Sequence, residues 1–487
     1  MNRQNIFIVI VASILLSFLH CPLFEIFFDD KEIFKYTGLV MLKGGVPYRD
    51  FFDHKPPLIY VLNYFGLLMG TWGLWIIDSL LVLSASLFFL HRCIQYKVRI
   101  PWILPVLFNL LLRNHAVSVG IGMTREYTAI FLLFLFCIIL SKNEKRFLWM
   151  GLLTALIFFM QQDQVLIAIP FILYTFLISL PEKRVVKQAL MFTGGFILIS
   201  VIILGYFAYN QSLNYFWKDA FLFNFQWYNK HYPVFTNLKA IRNRLHDTAY
   251  EMPFYMSFVT AAFTLVYYSR KRILLLTCII MLIASFTAAF VSGKMVDGLN
   301  VSYYFLPLST SIPIVLFALF NDNEGLRLKE KKPQLIFSAM IFIMPLLSMF
   351  QYATNLLNKK EAFYKQSAAY QYLQKQQLKD YDLYVAFNSN NDYLYNEFSI
   401  LAPSKWIYHF FWVWFDKWDA DRSIFRSIIN ELQLHKTKYI LDSSDGDIIF
   451  KDPEIYNEWK HFLITHYEKI ELPGIQTRNS ILWKHKD

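Results

Sequence analysis

Apolar stretches close to 20 residues long, separated by short polar breaks, recur along the chain from residue 5 to residue 352. A hydrocarbon layer ~30 Å thick asks for about 20 apolar residues per helical crossing. The pattern predicts spans near residues 5–24, 73–91, 101–119, 124–141, 147–162, 164–180, 189–209, 253–269, 273–291, 302–321 and 334–352. A further apolar stretch, Pro57 to Gly70, is short for a crossing, follows Pro56 and carries Asn63. It reads as a helix lying at the membrane interface or dipping into it. No small-residue cleavage site follows the first apolar run, which therefore reads as an uncleaved span. Beyond residue 352 the pattern turns polar. Strand-like runs occur at Asp382–Phe387 and Lys438–Asp442, and helical periodicity near 359–378 and 420–434. The expected fold is an α-helical polytopic membrane module of about 11 transmembrane helices over residues 1–352, then a small α/β domain over 353–487.

Composition agrees, and charge orients the chain. Residues are 56% hydrophobic and only 17% charged, below the ~25% usual for soluble domains. The net charge of +11 comes from clusters in short breaks: Arg3, Arg92–Arg99, Lys142–Arg146, Lys183–Lys187, Arg270–Arg272 and Arg327–Lys332. Cationic short loops face the cytoplasm. With Arg3 inside and Pro57–Gly70 not crossing, every such cluster falls inside. The long polar segments 25–72, 210–252 and 353–487 then fall outside. The chain is thus expected in the plasma (inner) membrane, its C-terminal domain extracytoplasmic, its surroundings membrane lipid. No basic face marks a nucleic-acid partner. Cys21, Cys93, Cys137 and Cys278 lie in or beside apolar stretches, with neither disulfide nor zinc spacing.

Ionisable groups are sparse within the spans; Asp78 and Arg113 are the clearest. A carrier coupled to ions or protons keeps such groups near the midplane. Here they gather at the outer rim. The first external loop, 25–72, holds Asp29 and Asp30, a helix-compatible stretch in which Ile33, Phe34 and Tyr36 can face the membrane while Lys31 and Lys35 snorkel, and a turn at Gly44–Pro47. It continues with Arg49, Asp50, Asp53, His54 and Lys55. A carboxylate beside a cation suits a reaction that deprotonates a hydroxyl while a phosphate departs; the same residues also suit a solvated loop. Glu126, after Arg125 at the outer start of the fourth span, either complements the helix dipole or faces a shared cavity. Gln162 sits in the next outer turn, and Tyr303-Tyr304 opens a late span, where tyrosines also serve as interface anchors.

Taken together, these segments resemble the GT-C membrane glycosyltransferases, in the branch of protein O-mannosyltransferases and lipid A aminoarabinose transferases. The resemblance rests on Asp30, on Gly45-Val46-Pro47-Tyr48-Arg49-Asp50, and on Lys55-Pro56-Pro57-Leu58-Ile59-Tyr60, in that order after one span. It implies a sugar donor on a polyprenyl phosphate, a lipid, glycan or protein acceptor, and transfer with inversion. It casts Asp30 as the base, with Asp29 as the neighbouring alternative, and Glu126 as a second acid. It casts Lys55, and less directly Tyr304, as contacts to the donor phosphate. Arg49, Asp50, Asp53, His54, Arg125 and Gln162 become cavity candidates. Lys31 departs from the group's usual acid or small polar residue. No metal cluster is legible, so a divalent cation is left open. Two other classes fit the span pattern: a flippase for lipid-linked glycans, separated by translocation without bond formation, and a scaffold whose C-terminal domain binds a partner. Trp406, Trp412, Trp414 and Trp418 crowd one part of that domain, where they could stack on an acceptor sugar or anchor the domain to the membrane.

Overall fold

The computed structural model describes residues 3–24, 29–98, 100–114, 120–182, 184–228, 280–285, 306–320, 346, 367–386, 393–407, 418–443, 453–472 and 481–486. The protein is a mostly helical, multi-pass membrane protein with a small C-terminal sheet. Its described membrane module comprises α1 (Arg3–Phe18), α2 (Asp29–Leu42), α3 (Leu58–Leu68), α4 (Gly73–Gln95), α5 (Ile103–Leu112), α6 (Thr124–Ile139), α7 (Arg146–Met160), α8 (Val165–Ser179), α9 (Val185–Tyr209), α10 (Leu213–Trp217) and α11 (Leu308–Phe320). Three helices among the described residues are long and apolar enough to cross a membrane: Gly73–Gln95, Gln162–Ser179 and Val185–Tyr209. The expected span at 253–269, that at 334–352 apart from residue 346, and most of the one at 273–291 lie outside the described residues.

Burial distinguishes the helices. α6 is buried along nearly its whole length. α9 instead leaves Val186, Leu190, Val201 and Ile202 more than 60% exposed, an apolar surface suited to lipid and costly in water. α7 and α9 pack backbone to backbone, because Gly151 and Gly195 face the partner helix. A methyl group at Gly151 would collide with the Phe192 carbonyl, and one at Gly195 with the Leu148 carbonyl. α3 has 11 residues, about 16 Å of helix and too short for a crossing.

α2 ends in a Schellman turn. Gly45 N–H reaches Val40 O (2.8 Å) and Gly44 N–H reaches Met41 O (3.0 Å). Gly44 takes a φ of +88°, which glycine adopts without strain. The sequence pattern predicts the Ile33–Phe34–Tyr36 face in lipid; the structure corrects this. Those side chains are 1–3% exposed, covered by protein: Phe34 meets Tyr60 of α3 and Tyr36 meets Tyr395.

The C-terminal domain carries α12 (Ala368–Gln374), α13 (Tyr393–Glu397), α14 (Ser423–His435), α15 (Pro453–His466) and strands β1 (Leu383–Ala386), β2 (Tyr439–Asp442), β3 (Tyr467–Ile470) and β4 (Ile481–His485). The sheet order is β1-β2-β4-β3, with β1 and β2 parallel and the other pairings antiparallel. The domain docks on α2. Asn396 Nδ2 donates to Glu32 O and Oε2 (both 2.8 Å), Ala402 N–H donates to Tyr36 Oη (2.8 Å), and Lys43 pairs with Asp380.

Candidate active site

Asp29 is the first residue of α2, and Asp30 the second. The direction of α3 decides what lies beside them. Phe34 on α2 meets Tyr60 on α3, with ring centroids 6.3 Å apart. One turn later, a Cβ at Gly38 would fall 2.8 Å from the Asn63 carbonyl carbon and 2.9 Å from Tyr64 N. The contacts advance together along both chains, so the two helices run parallel. Asp30 shares Phe34's face, four residues earlier. The half-buried Lys55 lies just before α3 begins, so both groups stand at the N-terminal ends of this helix pair. The Gly44 turn and the loop after it bring the chain back to make this possible.

The start of α6 arrives at the same place. Lys31 is only 8% exposed, and its Nζ lies 3.1 Å from where a Cβ at Gly120 would sit. Gly120 and Gly122, at φ +101° and +107°, form the turn into α6. Gly122 N–H donates to Glu126 Oε2 (3.1 Å), while Glu126 Oε1 pairs with Arg113. Arg113 also pairs with Asp78 of α4, and all three side chains are fully buried. The Lys31 ammonium lies within electrostatic reach of Glu126. His20, after α1, adds a 3.0 Å contact to Arg113 O. The N-termini of α2 and α6 thus meet around Lys31, a setting that favours an anion.

The remaining candidates form neighbouring groups. Arg49 and Asp50 are exposed; Arg49 donates to both Asp50 oxygens, and Asp50 Oδ2 accepts from Val46 N (2.8 Å), closing the turn. Asp53 and His54 are buried. Asp53 Oδ1 accepts from His54 N–H (2.6 Å), and Oδ2 from Tyr60 Oη (2.7 Å). Burial works to raise the Asp53 carboxyl, but His54, Tyr60 and Lys55 together hold it below its ordinary value. Burial first, then the Asp53 charge, pushes the Tyr48 and Tyr60 phenols up, keeping both as neutral donors. Arg125 is buried with Nη2 3.5 Å from Asp163 Oδ2. Gln162 Nε2 donates to Ala220 O (3.0 Å). Among the described residues no three His, Cys, Asp or Glu side chains form a metal-binding group. Tyr304, Trp412 and Trp414 lie outside the described residues. Trp406 and Trp418 pack on Phe52, at 4.7 and 5.7 Å, and on each other.

No family model matches the chain. No curated protein matches it. Among solved structures, the chain is similar to ArnT from Cupriavidus metallidurans bound to undecaprenyl phosphate. The identity is 12% and the TM-score 0.47, over 72% of this chain and 65% of that one. The chain thus spans just under two thirds of that protein.

Several partners of the site are not legible in the sequence. Lys31 reads there as a snorkelling lysine; the glycine pair Gly120/Gly122, which opens space for its side chain, is the available signal. Asp219, in a π-helical turn at Lys218–Leu222, carries no sequence signal at all. Burial raises its carboxyl to about 7, against the opposing pull of Lys405 and Lys218. Burial likewise lowers the Lys405 ammonium, against Asp219.

Proposed function

We propose that the protein is an inverting glycosyltransferase that moves a sugar from a polyprenyl-phosphate donor to a lipid, glycan or protein acceptor. The reaction takes place at the outer face of the inner membrane, in a module of eleven crossings whose C-terminal domain is extracytoplasmic. The observation that supports this reading is that α2 and α3 run together, with Asp30 and Lys55 at their N-terminal ends. The Asp30 carboxylate takes the proton of the acceptor nucleophile. The nucleophile attacks the anomeric carbon opposite the phosphate, and the bond from that carbon to the phosphate oxygen breaks, its electron pair leaving with the phosphate. Lys55 and the converging helix N-termini stabilise the charge on the departing group. Glu126 holds the Lys31 ammonium beside Asp30, and so acts on the base through its neighbour. Asp30 is preferred to Asp29 because it shares the face of Phe34 that meets α3.

The test is transfer from a polyprenyl-phosphate sugar by purified protein. Asp30→Asn should abolish transfer while expression and membrane insertion stay as in the wild type. Wild-type turnover by that variant removes Asp30 as the base.

A further inference from the structure

The four residues Phe52–Lys55 are gripped from three directions, two of them far away in sequence. From within the loop, Tyr48 Oη donates to Lys55 O at 2.6 Å. Tyr60 Oη lies 2.7 Å from Asp53 Oδ2 and 3.1 Å from Lys55 O, and shares its one proton between them. From the π-helical segment Asn224–Tyr228 after α10, Asn224 Nδ2 donates to His54 O at 2.8 Å. From the C-terminal domain, Lys405 O accepts from Phe52 N–H at 3.1 Å. The same residue's Nζ reaches Tyr48 O at 3.4 Å and lies over the Tyr215 ring at 5.2 Å.

Helix α3 does not need this bracing to begin. Pro56 and Pro57 already fix its first turn, because proline locks φ and restricts the residue before it. What the extra contacts fix is the backbone of the residues that precede the prolines, ending at Lys55. The aromatic packing of Phe52 on Trp406, Trp418 and Phe223 fills the same junction with rigid side chains.

We infer that this three-sided brace is a positioning device for Lys55. It makes Tyr60, Asn224 and the Lys405 segment part of the site that binds the phosphate of a polyprenyl phosphate. The inference rests on the reading of Lys55 as the phosphate-binding cation. A lysine on a flexible loop loses side-chain and backbone freedom when it meets an anion; one on a braced backbone has less to lose. Tyr60 and Asn224 act through Lys55, without touching the lipid.

The experiment is a double-mutant cycle on full-length protein in nanodiscs, with undecaprenyl phosphate as the probe. Lys55→Ala should weaken binding. Tyr60→Phe and Asn224→Ala, neither of which changes charge, should each weaken it about three- to tenfold, the effect of one lost hydrogen bond. In a Lys55→Ala background neither should have any further effect. Tyr48→Phe leaves the Asp53–Tyr60 contact in place and should fall in the same range, which guards against a folding defect in Tyr60→Phe. Wild-type affinity in the single variants overturns the inference and leaves the role of Lys55 intact, and so does an equal loss in both backgrounds. An unchanged affinity in Lys55→Ala itself removes the phosphate-binding reading and the inference with it.

Discussion

Lys31, Arg113 and Asp219 are the residues whose surroundings say most about the site. Arg113 is buried between Asp78 and Glu126, and removing it would strand two carboxylates away from water. Lys31 follows the proposed base directly and lies within electrostatic reach of Glu126. Asp219 makes a prediction with a definite sign. Its carboxyl titrates at about 7 in the fold against an ordinary value of 3.8, so the fold favours the neutral form. The stability it contributes is complete below about pH 4 and is lost as pH rises through about 7. Melting temperatures of detergent-solubilised protein should therefore fall between about pH 5 and about pH 8 by more in the wild type than in Asp219→Asn. Parallel pH curves for the two proteins contradict this. The residue types of the site are readable in the chain: Asp30, Lys55 and Glu126 stand out by kind and by position at the ends of apolar runs. Their pairings are not. Asp78, Arg113 and Glu126 come from three places in the helix bundle, and separation along the chain carries no information about which helix faces are turned towards each other.

At the scale of elements, apolar periodicity locates α2, α3 and the three described helices long enough to cross a membrane, but cannot tell what covers each face. Ile33, Phe34 and Tyr36 look like a lipid-facing stripe. They are instead covered by α3 and the C-terminal domain, because protein and lipid select the same side chains. The sheet is half legible: β1 and β2 alternate with helices and read as strands, whereas β3 carries Glu468 and Lys469 and β4 ends in Lys484 and His485, which dilutes the apolar signal. Close helix approaches are also hidden in a pattern, since glycine reads as a break. Gly195 shows the consequence. Gly195→Val would force α7 and α9 apart at the Leu148 carbonyl, and should lower stability by about 2 kcal/mol or more. Thermal unfolding in detergent measures it, and a melting temperature equal to the wild type's speaks against this packing.

For the whole molecule, the distribution of Lys and Arg and the docking of the C-terminal domain on α2 point to one topology. The domain grips the helix that carries Asp30 and the loop that carries Lys55, so the proposed transfer puts it on the face where the donor is used. In intact cells an impermeant maleimide should label Lys375→Cys, on the exposed surface of the domain. It should label Lys187→Cys, on the basic loop side, only after permeabilisation. The reverse pattern inverts the topology and removes the extracytoplasmic reaction. The most direct measurement is a structure of the protein in nanodiscs with a polyprenyl-phosphate sugar bound. The phosphate is expected within hydrogen-bonding reach of Lys55 Nζ, with the anomeric carbon between it and the Asp30 carboxylate. A donor headgroup lodged away from the ends of α2, α3 and α6, or on the side of Arg184 and Lys187, contradicts the proposed transfer.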